Sequence, residues 1–452
     1  MSRAGIDAIE IWTGKLQLDL PRTFAPVKGS DPQKYLKGIG IEYSSLPDVY
    51  EDIVTMGANA AKQLLDKKEL APADIGRIDV ATESSFDNSK PVSTYIAGCL
   101  ESVYESNFTH ANKGERKFAC LSGTQAIDDA YNWIQAGRHR GKPALVIATD
   151  TALYERGDPG EATQGAGAIA MLIDEDPDIV SISHSQGYGS ADETDFLKPN
   201  QQFPSVDGKR SVQVYLARMR EALADYESVA GKTHPDAFAA VPFHTPFPGM
   251  VRKAALLGYR HTIRNTDIED ELASDIGTQP RRNEFDSNSE FDAEMRTYMD
   301  GLKQTEAYQE WYADRIEPTI QFARQVGNWY TGSVHIARYS ALHSAATAGD
   351  SLSGEQLLVG SYGSGAEAEI HVETVQPNWK SAINSVTFAE SLASRYDLSF
   401  EEYERIHDVH NAQKETEVEP FTNPDGEFIF TGWGRMNERR YEYRPCQSGN
   451  AS

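Results

Sequence analysis

The stretch Phe118-Ala119-Cys120-Leu121-Ser122-Gly123-Thr124 is where the chain leaves a strand and enters a helix. Phe118 and Ala119 end the apolar strand, and over residues 122–136 apolar side chains recur at the spacing of one helix face. A buried strand that leads directly into an amphipathic helix is the unit from which α/β domains are built. The segment therefore predicts an α/β fold and places a cysteine at the junction between strand and helix.

The same alternation of strands and helices extends over the first 175 residues. Apolar or alternating runs predict strands, and apolar residues spaced by three or four predict helices. The predicted elements are strand 6–13, helix 52–65, strand 78–82, helix 88–104, helix 122–136 and strands 144–148 and 166–173. Such a βαβα series predicts a sheet that is buried on both faces.

A second half of the chain repeats this pattern. A Gly-, Asp- and Ser-rich stretch at 181–209 is interpreted as the boundary, which divides the chain into residues 1–180 and residues 181–452. The predicted elements of the second half are helix 212–230, strand 237–241, a helix after Pro248, helix 333–346 and strands 356–361 and 368–375. An acidic insertion at about 260–310, with 11 acidic residues between 267 and 300, predicts a solvated helical excursion.

The charge of the chain limits its partners. Lys and Arg total 43 and Asp and Glu total 68, so the formal net charge is −25. A surface this acidic repels a phosphate backbone, and no basic run is longer than Arg281-Arg282 or the loose Arg138-His139-Arg140, so nucleic acid is not expected as a partner. Dispersed like charges destabilise a compact chain unless salt screens them. We therefore expect a salt-rich, halophilic cytoplasm, with an ordinary acidic protein as the alternative.

The cysteines and termini indicate the compartment. Cys99, Cys120 and Cys446 are too few and too scattered for a disulfide framework, which predicts a reducing environment. His407 and His410 form an HxxH pair without a third ligand nearby, so no metal is expected. The chain starts without an apolar leader, and its longest small-apolar run, 165–173, is shorter than the ~20 residues of a membrane span. A cytoplasmic protein without membrane contact is expected.

Cys120 is the candidate nucleophile. At the start of a helix, the dipole and the free N–H groups favour the thiolate, which is the nucleophilic form of cysteine. A small buried core residue is the alternative interpretation. Cys99 lies within a helical apolar pattern and is predicted to be core, and Cys446 is predicted to belong to the tail.

Two further groups could act as acid and base. His244 lies in Val-Pro-Phe-His-Thr-Pro-Phe-Pro at 241–248, where three prolines hold the loop rigid and could direct the imidazole at a substrate carbonyl. Glu83 ends an apolar strand, where burial would raise the pKa of its carboxyl towards that of a base. The turn Gly-Ser-Tyr-Gly-Ser-Gly at 360–365 offers N–H groups to an oxyanion. An ordinary core histidine, an exposed glutamate and a simple hairpin are the alternatives.

Seven short motifs together resemble the 3-hydroxy-3-methylglutaryl-CoA synthase family. In chain order they are Thr82-Glu83-Ser84, Ala119-Cys120, Gly165-Ala166-Gly167-Ala168, Val206-Asp207-Gly208, Phe243-His244-Thr245-Pro246, Gly327-Asn328-Trp329-Tyr330-Thr331 and Ser361-Tyr362-Gly363-Ser364-Gly365. The resemblance runs from about Gly5 to about Pro445. It implies a thiolase-like fold, in which two similar α/β halves stack as five αβαβα layers, and a homodimer.

The same resemblance implies a reaction and its residues. The chain would condense acetyl-CoA with acetoacetyl-CoA and water to give HMG-CoA, in the mevalonate pathway, without a cofactor. Cys120 would carry the acetyl group, Glu83 would remove a methyl proton, and His244 would polarise and protonate the developing alkoxide. The other implied residues are the oxyanion donors Cys120 and Ser364, the acetoacetyl contact Asn328, the CoA-thioester contacts Thr163, Ser211 and Lys253, and the supporting residues Asp150, Asp195 and Tyr330.

One position departs from the family, and two other functions stay open. The family usually has a lysine that contacts CoA five residues after the histidine, where this chain has Gly249. Arg252 and Lys253 remain nearby, so CoA phosphate binding is expected to be weaker or rearranged. The alternatives are a ketoacyl-ACP synthase III-like condensing enzyme, which lacks a counterpart of Glu83, and a non-catalytic acyl-CoA-binding homologue.

Overall fold

The computed structural model describes residues 3–199, 201–412 and 418–446. The strands are β1 (Ala4–Thr13), β2 (Leu16–Asp19), β3 (Tyr43–Leu46), β4 (Arg77–Ala81), β5 (Asn112–Arg116), β6 (Ala144–Ala152), β7 (Gly165–Glu175), β8 (Val180–Ser190), β9 (Phe196–Leu197), β10 (Ser205–Val206), β11 (Gln356–Gly363), β12 (Glu367–Val375), β13 (Tyr396–Asp397), β14 (Glu427–Trp433) and β15 (Arg439–Arg444). The α-helices are α1 (Ala25–Val27), α2 (Ile53–Lys67), α3 (Val92–Glu101), α4 (Ser122–Gln135), α5 (Gly208–Ala230), α6 (Pro248–Ile263), α7 (Asp267–Ile276), α8 (Asn288–Leu302), α9 (Glu306–Arg315), α10 (Ala323–Val326), α11 (Ser333–Ala348), α12 (Trp379–Asn384), α13 (Phe388–Ala393) and α14 (Phe400–Ala412).

Eight strands form one large sheet in the order β11-β12-β8-β1-β7-β6-β4-β5. β5, β4 and β6 are parallel, and every other neighbouring pair is antiparallel. The two halves of the chain meet at β1 and β8, which pair over only two residues each. The sheet therefore consists of a first-half part, β1, β4, β5, β6 and β7, and a second-half part, β8, β11 and β12.

Helices cover both parts of this sheet and also lie between them. α2 and α3 pack on the outer face of the first-half strands, and α5 and α6 pack on the outer face of the second-half strands. α4 and α11 share one hydrophobic cluster between the two parts. Helices, strands, helices, strands and helices thus form five αβαβα layers, which is the thiolase-like arrangement predicted above. No helix in the described part of the chain is long and apolar enough to cross a membrane.

The stretch at 181–209, which was predicted as the boundary between the two halves, contains regular secondary structure. It contains β8, which lies inside the large sheet, followed by the short ribbon of β9 and β10. Its glycines allow close packing instead of flexibility, because a Cβ on Gly187 would lie 2.2 Å from the main-chain nitrogen of Tyr226 on α5. The predicted boundary between the halves coincides with the start of this strand.

Two predicted elements differ in extent from the structure. The strand predicted at 237–241 is absent as a regular strand, and only Ala240 and Phe243 make isolated parallel bridges to β11. The helix predicted at 88–104 is α3, which is shorter at its start because Pro91 disfavours helical backbone at the residue before it. The acidic insertion is helical, as predicted, and its helices α7 and α8 are mostly exposed.

Candidate active site

Cys120 lies on a tight turn between β5 and α4. The strand ends at Arg116, before its predicted end, and the helix begins at Ser122, where it was predicted to begin. Ala119 has a φ of 43°, in the left-handed region that residues other than glycine rarely adopt. The main-chain nitrogen of Ser122 donates to the carbonyl of Ala119 at 3.3 Å and closes the turn. This geometry turns the Cys120 side chain into a cavity.

The Cys120 thiol donates a hydrogen bond to the Glu83 carboxylate, with 2.8 Å between Sγ and Oε1. Glu83 follows the end of β4, and Cys120 follows the end of β5. Because these two strands are parallel neighbours, their ends bring the two side chains together. Burial and the negative charge of Glu83 raise the pKa of the Cys120 thiol well above its usual value. In the resting site, burial and then the adjacent carboxylate thus favour the protonated thiol over the thiolate that was expected from the helix start.

The Glu83 carboxyl has the properties predicted for a base. Burial raises its pKa to about 8, and the charge of Asp150 acts in the same direction. The hydrogen bond from Cys120 and the charge of Lys198 oppose this rise. A carboxyl that titrates near neutral pH can accept a proton from a weak carbon acid and return it.

Asp150 is fully buried and fastens three segments of the site. Its Oδ1 accepts hydrogen bonds from the main-chain nitrogen of Glu83 (2.7 Å) and from the Ser84 hydroxyl (2.8 Å). Its Oδ2 accepts from the main-chain nitrogen and the hydroxyl of Thr331 (3.1 and 2.5 Å). The carboxylate at the end of β6 therefore holds the Glu83 segment against the start of α11, which agrees with a supporting role.

His244 is buried on the opposite side of the cavity. Its main-chain nitrogen donates to the Gly360 carbonyl at 2.7 Å, and its own carbonyl accepts from the Tyr215 hydroxyl at 2.9 Å. The backbone is thus fixed to β11 and α5. Burial lowers the pKa of the imidazole to about 3, so the ring is neutral across the physiological range. A neutral ring keeps one N–H for hydrogen bonding to a substrate oxygen.

The turn after β11 brings Ser364 to the Cys120 loop. The hairpin of β11 and β12 packs so closely that a Cβ on Gly363 would lie 2.6 Å from the Phe118 carbonyl. A hydrogen bond of 2.6 Å between the hydroxyls of Thr124 and Ser361 joins the same two segments. The main-chain N–H groups next to Cys120 and Ser364 therefore border one space, as an oxyanion hole requires.

Asn328 and Tyr330 approach from the loop before α11. The amide oxygen of Asn328 accepts from the main-chain nitrogen of Tyr330 and from the Ser333 hydroxyl, both at 2.8 Å. This leaves the amide nitrogen as the group that can donate to a ligand. Tyr330 is buried beside Cys120 and Glu83, and burial raises the pKa of its hydroxyl well above the usual value.

A cavity of about 860 Å³ unites most of the predicted site residues. Its walls include Cys120, Thr163, Ser211, His244, Asn328, Tyr330 and Ser364. Lys253 does not line this cavity and is exposed on α6. Asp195 is completely buried, and neither carboxylate oxygen has a hydrogen-bond partner within the described residues. The cavity has the size expected for part of an acyl-CoA ligand.

Gly249 cannot be replaced by a larger residue without a shift of the backbone. A Cβ at this position would lie 2.4 Å from the carbonyl oxygen of Gly38. The segment Lys34–Ile39, which is π-helical, therefore packs directly on the first turn of α6. The glycine reflects this close approach between the two segments.

The sequence prediction missed several residues at the site. Lys198 follows β9, and its ammonium lies 3.5 Å from the Glu83 carbonyl oxygen. Tyr154 lines the cavity after the end of β6, and Thr331 binds Asp150. Tyr154 could have been predicted, because polar residues after the end of a strand are candidates for a site. Lys198 could not, because nothing in the sequence Phe-Leu-Lys-Pro at 196–199 indicates contact with Glu83, which lies more than 100 residues earlier.

Two family models cover most of the chain. The model for "Hydroxymethylglutaryl-coenzyme A synthase N terminal" matches residues 2–178, and the model for "Hydroxymethylglutaryl-coenzyme A synthase C terminal" matches residues 186–432. Among curated proteins, a hydroxymethylglutaryl-CoA synthase of Haloferax volcanii is 72% identical over 98% of this chain and 100% of its own length. One from Enterococcus faecalis is 30% identical over 89% of this chain and 91% of its own length.

Solved structures agree with these sequence matches. A structure described as MvaS in complex with 3-hydroxy-3-methylglutaryl coenzyme A superposes with a TM-score of 0.82 at 27% identity, and covers 98% of this chain and 100% of the other. An HMG-CoA synthase complexed with CoA gives a TM-score of 0.75 at 28% identity, with the same coverage. The fold described above is therefore the fold of these proteins.

Proposed function

The chain belongs to the hydroxymethylglutaryl-CoA synthase family, and on that premise we propose how its residues divide the reaction. It is an acyl-transferring condensing enzyme, which joins acetyl-CoA to acetoacetyl-CoA with water and forms HMG-CoA and free CoA. This reaction belongs to the mevalonate pathway of isoprenoid synthesis. The relatives described above, which match this chain over most of its length, are hydroxymethylglutaryl-CoA synthases, and this favours the synthase over both alternatives.

In the first step Cys120 takes the acetyl group. Its sulfur attacks the thioester carbon of acetyl-CoA, the bond from that carbon to the CoA sulfur breaks, and the thiol proton ends on the departing CoA. The main-chain N–H groups of Cys120 and Ser364 stabilise the tetrahedral oxyanion. The product is an acetyl thioester on Cys120 and a free CoA thiol.

In the second step Glu83 removes a proton from the acetyl methyl group. Its Oε1 lies 2.8 Å from the sulfur that carries the acetyl group, so the carboxylate is close to that methyl. The resulting enolate attacks the ketone carbon of acetoacetyl-CoA and forms the new carbon–carbon bond. Asn328 donates from its amide nitrogen to the acetoacetyl group and orients it.

His244 assists by hydrogen bonding to the ketone oxygen as negative charge develops there. Because the pKa of this imidazole is about 3, the group that polarises the ketone is the neutral N–H and not an imidazolium. The alkoxide takes the N–H proton of His244, which regains a proton from water, and the proton that Glu83 removed from the methyl group passes to solvent. Water then cleaves the thioester to Cys120, which restores the thiol and yields the carboxylate of HMG-CoA and one proton.

The observation that carries these assignments is the direct contact between Cys120 and Glu83. This contact places a base beside the sulfur that carries the acetyl group. Cys120 can therefore hold the acetyl group while Glu83 removes a proton from its methyl carbon. Replacing Glu83 with glutamine keeps its size and removes the proton acceptor. It also removes the negative charge that raises the pKa of the Cys120 thiol, so acetylation should survive.

We expect Glu83→Gln to form acetyl-enzyme at wild-type stoichiometry and to produce HMG-CoA at least ~100-fold more slowly. Both quantities are measured on the same preparation, acetylation by mass spectrometry of the intact protein and condensation by the HMG-CoA formed. Condensation near the wild-type rate, or no acetylation at all, would remove Glu83 from the role of methyl-proton base.

Two cysteine variants provide a matched control for the nucleophile. Cys120→Ala should abolish acetylation, whereas Cys99→Ala, a change of the same size at a buried thiol in α3, should retain it. Acetyl label on the Cys120→Ala protein at wild-type stoichiometry would move the nucleophile to Cys99 or Cys446.

The remaining predicted site residues hold the substrates and the frame in this proposal. Thr163 and Ser211 on the cavity wall contact the CoA thioester arm, and Lys253 on the exposed side of α6 contacts its outer part. The positions of the reacting side chains are supported by Asp150, Asp195 and Tyr330. The orphaned carboxylate of Asp195 fits such a role, because a buried carboxylate needs a partner that the bound substrates or a reorganised side chain can supply.

The proposal extends to assembly and setting. β5 lies at the end of the large sheet with exposed residues at both of its ends, which suits pairing with a second copy in a homodimer. Light scattering in molar KCl should give twice the mass of the chain. Nucleophile, base and oxyanion donors are all supplied by the protein, so the enzyme acts without a cofactor or metal, in a cytoplasm of high salt.

A further inference from the structure

The Cys120 site contains more negative than positive groups. Asp150 is a buried carboxyl and Glu83 is a half-buried one, and the main-chain nitrogen of Glu83 donates a hydrogen bond directly to the Asp150 carboxylate. Within the described residues, the titratable groups that act on Glu83 are Cys120, Asp150, Tyr154, Tyr330 and Lys198. Only Lys198 among them can be a cation. The balance of charge around the base therefore depends on one side chain.

Lys198 reaches the site from the ribbon of β9 and β10. Phe196 of β9 lines the cavity and packs edge-to-face on Tyr330, with 6.2 Å between the ring centroids, which anchors the ribbon beside the site. Two residues later the Lys198 ammonium lies 3.5 Å from the Glu83 carbonyl oxygen. Within the described residues the ammonium forms no direct ion pair with a carboxylate, so it acts on the Glu83 carboxyl through its nearby charge. Burial lowers its pKa, and the two carboxylates act in the opposite direction.

The need for this cation is greatest after acetylation. In the resting site the Cys120 thiol donates a hydrogen bond to Glu83, which favours the charged carboxylate. Once sulfur carries an acetyl group it has no hydrogen to donate, and this stabilisation is lost when the base must act. Asp150 continues to oppose the charge on Glu83. Lys198 is then the remaining nearby group that favours it.

We propose that Lys198 is a positioning residue for the general base, the counter-ion that keeps Glu83 anionic while the acetyl group occupies Cys120. The inference rests on the proposed role of Glu83 as the methyl-proton base. Lys198 contacts no reacting atom and acts through Glu83. Its effect is therefore on the pH range in which condensation proceeds, whereas the capacity of Cys120 to accept the acetyl group is unaffected.

The test uses acetyl-enzyme prepared with acetyl-CoA, freed of excess substrate and mixed with acetoacetyl-CoA over a range of pH in molar KCl. The rate of this single turnover rises with pH as Glu83 ionises. For Lys198→Met we expect the rising limb to move about one unit higher, with about tenfold loss at pH 7 and convergence with the wild type above the limb. Lys198→Arg, which keeps the charge, should restore the wild-type limb.

Lys303→Met is the matched control, because Lys303 is exposed at the end of α8 and does not line the cavity. Its rising limb should coincide with that of the wild type, and all three variants should acetylate at wild-type stoichiometry. An unshifted limb in Lys198→Met, failure of arginine to restore it, or an equal shift in Lys303→Met would overturn the inference. These outcomes differ from failure of the proposed function, which would appear as normal condensation by Glu83→Gln.

Discussion

At the level of single residues, the thiol of Cys120 and the carboxyl of Glu83 determine where protons lie in the resting enzyme. The thiol stays protonated because burial and the adjacent carboxylate raise its pKa. Because the two groups interact strongly, the pKa values in a measured pH profile belong to the pair. The ionisation seen first as the pH rises is mainly that of Glu83, which has the lower pKa of the two. The chemistry therefore begins from a neutral thiol next to a base.

The titration of these groups predicts the shape of the pH profile. Glu83 acts as a base only when ionised, and its pKa of about 8 in the resting site should be higher in the acetyl-enzyme, where the hydrogen bond from Cys120 is lost, so condensation should rise with pH through a limb above that value. His244, whose pKa is about 3, does not change charge between pH 5 and 9 and should add no second limb. The single-turnover rate of acetyl-enzyme, measured from pH 5.5 to 9.5, should show one rise. A break near pH 6.5, absent from His244→Asn, would contradict the neutral imidazole.

Residue identities at the site were predictable where a strand end or helix start carried the signal. Cys120 follows this pattern, as does Glu83, and both are in the predicted positions relative to the sheet. The protonation of Cys120 was not predictable, since it depends on a carboxylate 37 positions away in the chain. Lys198 was missed for the same reason: its contact with Glu83 is set by the path of the β9 and β10 ribbon.

At the level of elements, α4 packs at Gly123 against the start of α11 and the turn before it. A Cβ there would lie 2.3 Å from the Thr331 carbonyl and 2.7 Å from Nε2 of His335. Gly123 is three residues after Cys120, so the contact between helices also fixes the turn of the nucleophile. The spacing of α4 from α11 is thus part of the active-site geometry.

Gly123→Ala should therefore cost stability and acetylation together. The methyl group cannot fit without displacing a main-chain carbonyl, and overpacking of this kind costs about 1–3 kcal/mol. Denaturant unfolding and the rate of acetyl-enzyme formation would measure both effects.

Gly98→Ala is the control for this variant, because Gly98 is exposed in the middle of α3 and a Cβ there would meet no atom within 4 Å. It should gain roughly 0.5–1 kcal/mol, since alanine is the better helix former, and it should acetylate normally. If Gly123→Ala matched Gly98→Ala in both measurements, the close packing at Gly123 would contribute neither to the free energy of unfolding nor to the rate of acetylation.

Elements with a clear period were predictable, and the exceptions have a physical cause. β1, α2, β4, α4 and β7 overlap their predicted ranges because apolar spacing alone distinguishes a buried strand from an amphipathic helix. β8 was not predicted as a strand, because the stretch at 181–209 is rich in glycine, aspartate and serine. Its composition is due to α5, which packs so closely that Gly187 has no room for a side chain.

At the level of the whole molecule, the net charge of −25 is spread along the chain, with a local concentration in the exposed helices α7 and α8. The buried pair of Arg338 and Glu373 is the opposite case, since charges inside the protein are screened little by salt. The surface should therefore respond to salt, and the interior should not.

Thermal stability and activity should both rise as KCl increases from about 0.2 M to about 3 M, because the Debye length is already down to ~3 Å at about 1 M and repulsion between carboxylates is screened. Molar sorbitol, which carries no charge, is the control and should reproduce little of the gain. Melting curves that are flat or fall with KCl would show that the acidic surface is not an adaptation to salt, and would leave the catalytic assignments intact.

The five-layer architecture could be predicted only from the resemblance to a family. Periodicity identifies strands and helices, but the pairing of β1 with β8 and the sharing of one core by α4 and α11 join residues far apart in the chain. No local pattern encodes such contacts. The seven motifs in their chain order predicted the architecture, because they identify a family and the members of a family share one fold.

The shared core between the halves also has a consequence for synthesis on the ribosome. α4, strands of the first half and α11 contribute side chains to one hydrophobic cluster, and α11 ends at Ala348. When residues 1–180 have emerged, the side chains that α11 contributes to this cluster are still missing, and more than 150 further residues must be translated before α11 is complete. During that interval the nascent chain exposes a surface of the kind that chaperones bind and that aggregates form from. Slow translation would lengthen this exposure, so the yield of folded enzyme should depend on how fast the second half is made.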